Sequence, residues 1–245
     1  MDSRVNCAPL TLLLRDSVAD TETALRSIFD SQTDITVAQT GPGNRHSVDI
    51  VYCGVTFRLA LDSTRPDLSG LKKIFCNLDS SSVGSVLGIS LGDHVAGGER
   101  VPAIVQGLLG VGQRLGKLLG ATGAIWHPAD ILSGFPYFSE AVADYLGGGG
   151  FPALALVNFK GGKDGSIVTH GLALLSGQEL EICPAEMGQS EVMRRVVRVV
   201  HDIATNGPVQ NPVELAGIEA GEIIHLEPLR ESGLLKMNAY SCPTG

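Results

Sequence analysis

Two glutamates stand two residues apart in QELEI, at Glu179 and Glu181. On an extended strand they leave the same face, with backbones about 6.5 to 7 Å apart. Paired carboxylates at that spacing suit general acid–base work or a metal ion. The plainer reading is a solvated face; a covered face would need a partner such as an arginine. A second group is Trp126-His127-Pro128. The single tryptophan ends an apolar run and His127 opens the loop that follows. Strand ends facing loops are where ligand groups gather. The plainer reading is an aromatic plug and a histidine held in a turn before proline. Trp126, His127, Glu179 and Glu181 form the candidate pocket of a hydrolase-like, small-molecule enzyme, provided the fold brings them together.

Other chemistries lack a pattern. The six histidines (His46, His94, His127, His170, His201, His225) form no HxH, HExxH or i, i+4 pair, so no zinc signal exists. The five cysteines (Cys7, Cys53, Cys76, Cys183, Cys242) are an odd number without a CxxC pair. That is the usage of a reduced, cytoplasmic protein with small buried thiols. No GxSxG elbow occurs, and Cys183 stands before Pro184 with no histidine near it in sequence. No GxxxxGK[ST] occurs; the glycines Gly112, Gly116 and Gly120 recur every four residues inside helical periodicity. A glycine stripe costs helix stability, so it implies close approach of a neighbouring helix or sheet. No cofactor is expected. Arg194, Arg195 and Arg198 put a basic side on the last helix, opposite Val192, Val196, Val199, Val200 and Ile203. The arginines read as a solvated face, with Arg194 and Arg198 spaced to clamp an anion.

Composition narrows the partners. Eighteen Lys and Arg against 26 Asp and Glu leave a net charge of −8, which argues against nucleic acid. Hydrophobic residues at 44% and charged residues at 18% argue for a folded chain with a proper core. The start, MDSRVNCAPLTLLLR, lacks the apolar run of a secretory signal. The stretch Val101 to Trp126 is interrupted by Gln106, Gln113, Arg114 and Lys117, so no membrane span is expected.

The elements that must position these residues follow from periodicity. Pro9 to Arg15 predicts a strand, and Ala24, Leu25, Ile28 and Phe29 a helix capped from Asp16, Ser17 or Asp20. A strand over Asp34–Gln39, a turn at GPGNRH and a hairpin SVDIVY-CG-VTFRLAL follow. Asp67–Phe75 reads as a short helix, and Ser80–Gly84 as a flexible link. Then come a strand Ser85–Leu91, a helix Arg100–Leu119, a strand Gly123–Trp126, a loop HPADILSGFP and a helix Tyr137–Leu146. The apolar PALALVNF (Pro152–Phe159) predicts a doubly covered strand. A turn at GGKDG, strands Ser166–His170 and Gln178–Cys183, a helix Ser190–Thr205 and a tail with one strand, Glu222–Leu226, complete the chain.

The expected fold is α+β: mostly antiparallel sheet with helices on one face, in two pseudo-repeated strand-helix-strand lobes of ferredoxin-like flavour. The lobes are 1–84 and 85–245, or together one compact domain. THGLALLSGQELEI (Thr169–Ile182), the helix ending in ATNGPV and GAIWHPADIL (Gly123–Leu132) carry a further signal. Over roughly residues 85–226 they resemble the bacterial domain-of-unknown-function family DUF4261. That resemblance implies an α+β fold and bacterial origin and supplies no site. With no catalytic constellation above background, the expected function is a non-enzymatic binding or interaction module. The expected partners are another protein or a second copy of the chain.

Overall fold

A computed structural model describes residues 8–38, 47–161, 166–182, 188–229 and 232–241. Cys7, His46, Cys183, Cys242, the GPGNRH turn and most of the GGKDG turn lie outside the described residues. The fold is α+β, and the chain divides into two compact units, Met1–Ala155 and Leu156–Gly245.

The first unit opens with strand β1 (Leu10–Leu14) and helix α1 (Val18–Ser31). The Ser17 hydroxyl caps that helix, accepting from the Asp20 N–H at 3.3 Å. Strands β2 (Ile35–Val37), β3 (Ser47–Tyr52), β4 (Val55–Asp62), β5 (Lys72–Ile74) and β6 (Ser85–Leu91) follow. Helix α2 (Pro102–Leu118), β7 (Gly123–Trp126), β8 (Ile131–Gly134) and helix α3 (Phe135–Leu146) end the series. The strands form one sheet in the order β2-β3-β4-β6-β1-β7-β8-β5. Among the described residues only the β5–β8 pairing of this sheet is parallel. Cys53 and Gly54 turn the β3–β4 hairpin with φ of +48° and +77°, the type I′ geometry that matches strand twist.

Register fixes which side chains share a face. Leu10 lies opposite Ile89 and Trp126, and Leu61 opposite Leu87. The helices lie on this face. The Thr21 hydroxyl of α1 is 2.9 Å from that of Ser85, and Gly112 of α2 sits directly on Leu10. Leu10, Leu12 and Leu87 are 0% exposed, and burying each contributes about 1.5–3 kcal/mol. The opposite face around β1, β7 and β8 is covered by the connector between β4 and β6. Leu68, Cys76 and Val83 pack there against Leu13, Ile125 and Leu132.

The glycines of α2 permit that packing. A Cβ on Gly112 would stand 2.3 Å from Leu10 Cδ2, and one on Gly116 2.1 Å from Phe135 Cε2. Gly120 is not part of the stripe. It lies past the helix end at φ +62°, where a left-handed residue terminates the helix.

Several elements differ from expectation. The stretch read as a short helix, Asp67–Phe75, instead carries β5, because pairing with β8 outweighs weak local propensity. The segment 80–84, read as a flexible link, is a short 3₁₀ turn ending on buried Val83, and β6 continues straight into the same sheet. The loop HPADILSGFP contains β8. PALALVNF is not one strand: Ala153–Leu156 is a short helix, α4, and β9 (Asn158–Gly161) begins after it. An all-apolar run marks burial without fixing a period.

The second unit continues from β9 with β10 (Ile167–His170), helix α5 (Leu172–Ser176), β11 (Glu179–Ile182) and helix α6 (Gln189–Asn206). Strands β12 (Val213–Ala216), β13 (Glu222–Leu229) and β14 (Leu234–Ser241) complete it. The tail therefore holds three strands, not one. They join β11 in the sheet order β12-β13-β14-β11-β10-β9, with β11 and β14 parallel. Val196, Val199, Val200 and Ile203 of α6 are buried, as are Leu180, Ile182, Ile224 and Leu226 of the strands.

Candidate functional site

Trp126 ends β7 opposite Leu10, under the helical layer, and is 2% exposed. Its indole Nε1 is buried with no hydrogen-bond partner among the described residues. The ring is thus a core plug. His127 follows in a short 3₁₀ turn, its N–H donating to the Pro9 carbonyl at 3.0 Å. Its Nε2 lies 3.0 Å from the Thr11 hydroxyl. Burial pushes the imidazole below its ordinary 6.5, and nearby Asp130 opposes this. Trp126 and His127 are neighbours with different settings, one in the core and one half-buried at the strand end.

Glu179 and Glu181 belong to the second unit. They alternate with buried Leu180 and Ile182 as expected. Glu179 is engaged by the backbone. Its carboxylate accepts from the Thr169 hydroxyl at 2.7 Å and from the N–H groups of Gly171, Leu172 and Ala173 at 2.8, 3.2 and 3.0 Å. Those amides open α5, so Glu179 fills the positive end of a one-turn helix. Glu181 stands beside Val168 of β10 and Lys236 of β14. The two glutamates, alike in sequence, do different things.

The three arginines of α6 also separate. Arg194 and Arg198 are exposed, the latter donating to the Gly217 carbonyl at 2.6 Å. Arg195, read as part of the solvated face, is instead buried and paired with Glu222 of β13. Among the described residues no group of three or more His, Cys, Asp or Glu could hold a metal ion. Cys53 is exposed in the hairpin turn and Cys76 is buried; both are free thiols. Among the described residues no helix is long and apolar enough to cross a membrane.

A feature with the shape of a ligand site lies elsewhere, in the first unit. Between α1 and the sheet is a cavity of about 430 Å³. Its floor is Leu59 and Leu61 of β4 and Leu87 of β6; Leu25 and Phe29 of α1 form one wall, and Val37 and Val48 another. Glu22, Arg26, Asp30 and Ser47 complete the lining. Glu22 and Arg26, one helical turn apart, are ion-paired at 2.8 Å and largely exposed. The lining is thus apolar below and polar above, as in small-molecule pockets of this size. Periodicity identified Leu25 and Phe29 as the apolar stripe of a helix. It carried no signal that the stripe stands off the sheet far enough to leave a cavity. No family model, curated protein or solved structure matches the chain.

Proposed function

We propose that the protein is a non-enzymatic binding module, and that its ligand is a small molecule with an apolar body seated between α1 and the sheet. The observation that carries this is the cavity itself: about 430 Å³, with seven apolar side chains below a charged rim. The volume falls in the range of small-molecule sites and is short for a folded partner's helix. Among the described residues the lining brings no histidine or cysteine, and Ser47 is its one hydroxyl. Glu179 and Trp126 are occupied by structural tasks, which weighs against the hydrolase-like alternative. The likeness of Thr169–Ile182 to a bacterial family belongs to the same proposal and adds no site.

Titration with the apolar dye anilinonaphthalene sulfonate and with medium-chain amines and carboxylates tests the reading. Saturable binding is expected, with amide shifts confined to α1, β2, β3, β4 and β6. Leu59→Trp, which fills the floor, is expected to weaken it by about tenfold or more. Binding of an apolar peptide but of no small molecule would replace this occupant with a protein one. Turnover in a broad hydrolase screen, removed by a point change, would overturn the non-enzymatic reading.

A further inference from the structure

The rim of the cavity beneath α1 is unevenly charged. Two carboxylates, Glu22 and Asp30, stand there against one guanidinium, Arg26. Glu22 and Arg26 hold each other at 2.8 Å. The Asp30 carboxylate, exposed in the last turn of α1, has no hydrogen bond or ion pair among the described residues. The helix does not ask for an acid there. Its carbonyl end carries partial negative charge, so a carboxylate in the last turn costs stability and a base is favoured. The last turn of α1 holds no base. Asp30 takes no part in ending the helix either, since the Gln32 N–H and the Ser31 hydroxyl both donate to the Ile28 carbonyl, at 2.8 and 3.2 Å. Arg114 of α2 reaches the Gln32 side chain, and its charge is met by Asp34 at 3.4 Å. A local rule broken at the mouth of a cavity is the pattern of a functional residue.

We propose that the cavity takes a small amphiphile with one protonated amine, its apolar body on Leu59, Leu61 and Leu87 and its ammonium against Asp30. This rests on the reading of the cavity as a small-molecule site and names the chemical class that fits it. An ammonium brings three N–H donors and no acceptor, and the rim offers it the Asp30 carboxylate and the Ser47 hydroxyl. A carboxylate head group fares worse. The one cation of the rim is Arg26, which it would have to take from Glu22, and it would then stand beside two groups of its own charge. An uncharged head group gains only the burial of its apolar body. The net charge of −8 draws any cation to the chain, so the assignment is one of position: Asp30, and not the total charge, sets the preference.

The test compares decylamine, decanol and decanoate, each below its micellar concentration, by calorimetry and amide shifts with the full chain at neutral pH. Decylamine is expected to bind about fivefold tighter than decanol, the scale of one exposed ion pair, and about tenfold or more tighter than decanoate. Salt should erode the advantage of the amine and leave decanol binding in place. Asp30→Asn is expected to bring decylamine down to the affinity of decanol, while melting at the same or a higher temperature because an acid has left the carbonyl end. Asp30→Glu should keep the preference. Glu140→Gln, which removes an equal charge from an exposed position of α3, should keep it too. Equal affinity for decylamine and decanol, tighter binding of decanoate, a preference that survives Asp30→Asn, or one that Glu140→Gln lowers as much would each overturn the assignment. So would a lower melting temperature in both Asp30→Asn and Asp30→Ala, which would give the carboxylate a structural task. In each of these cases decanol still binds in the cavity, and the reading of it as a small-molecule site stands. Binding of none of the three there would overturn both.

Discussion

The Arg195 guanidinium of α6 donates to the Glu222 carboxylate of β13, with the two side chains only 7% and 3% exposed. Glu222 also accepts from the N–H groups of Ile218 and Glu219 at 2.7 and 3.0 Å, and Arg195 donates to the Glu191 carbonyl at 2.9 Å. This network fastens α6 to its sheet and holds the 217–222 turn.

Removing one partner leaves a buried charge alone. Glu222→Ala is expected to cost the second unit about 3–5 kcal/mol, whereas Arg195→Met with Glu222→Leu should recover only part of that, because the Ile218 and Glu219 amides stay without their acceptor. Arg195 and the turn amides hold the Glu222 carboxyl below its ordinary 4.5. The folded state thus binds that proton more weakly than the unfolded chain. Its stabilisation is complete above about pH 4.5 and is lost as pH falls through the lower folded value. Urea melts from pH 3 to 7, compared between the wild type and Glu222→Gln, should show a shallower acid loss in the variant.

The α2 glycines offer a steric test. Gly116→Ala drives a methyl into the ring of Phe135, which is 6% exposed. Overpacking of about 1–3 kcal/mol should outweigh the regained helix propensity of up to about 1 kcal/mol. Gly70, where an added methyl would meet nothing within 4 Å, should accept alanine with little change. Chemical denaturation of both variants decides the point: a stabilised Gly116→Ala would mean that α2 and the Phe135 ring of α3 can move apart.

His127 predicts a second pH effect, of the same sign but in a higher window. Burial lowers its folded value below 6.5, so the folded state resists protonation and the unfolded chain does not. Stability is expected to fall as pH drops below about 6.5 and to level off beneath the folded value. His127→Gln should flatten that slope. The imidazole resonances, followed by NMR, should titrate below 6.5; a value above it would show that Asp130 dominates burial.

The two glutamates of β11 should separate by mutation. Glu179→Ala leaves the Gly171, Leu172 and Ala173 amides without their acceptor and is expected to cost about 2 kcal/mol or more. Glu181→Ala, half-buried beside Lys236 and not the acceptor of those amides, should cost less, about 0.5 kcal/mol. Equal losses at the two positions in thermal melts would contradict the distinct roles drawn from the geometry.

Local chemistry made much of this protein legible in its residues. The period-two run at Glu179–Ile182, the Ser17 cap, the Cys53-Gly54 turn and the spacing of Val196, Val199, Val200 and Ile203 each express a preference confined to a few neighbours, and each appears where its pattern points. The glycine spacing of α2 likewise announced close packing. Tertiary structure alone decided what depends on residues far apart in the chain. β5 exists because β8 lies beside it, and the tail forms strands because β11 offers an edge to β14. Arg195 differs from Arg194 and Arg198 because Glu222, 27 positions away, faces one of them. The same holds for function. No motif marks the cavity beneath α1 or the place of Asp30 on its rim, because a void and its margin are properties of how surfaces meet. A linear pattern records which side chains prefer burial; only the assembled layers determine where burial is left incomplete.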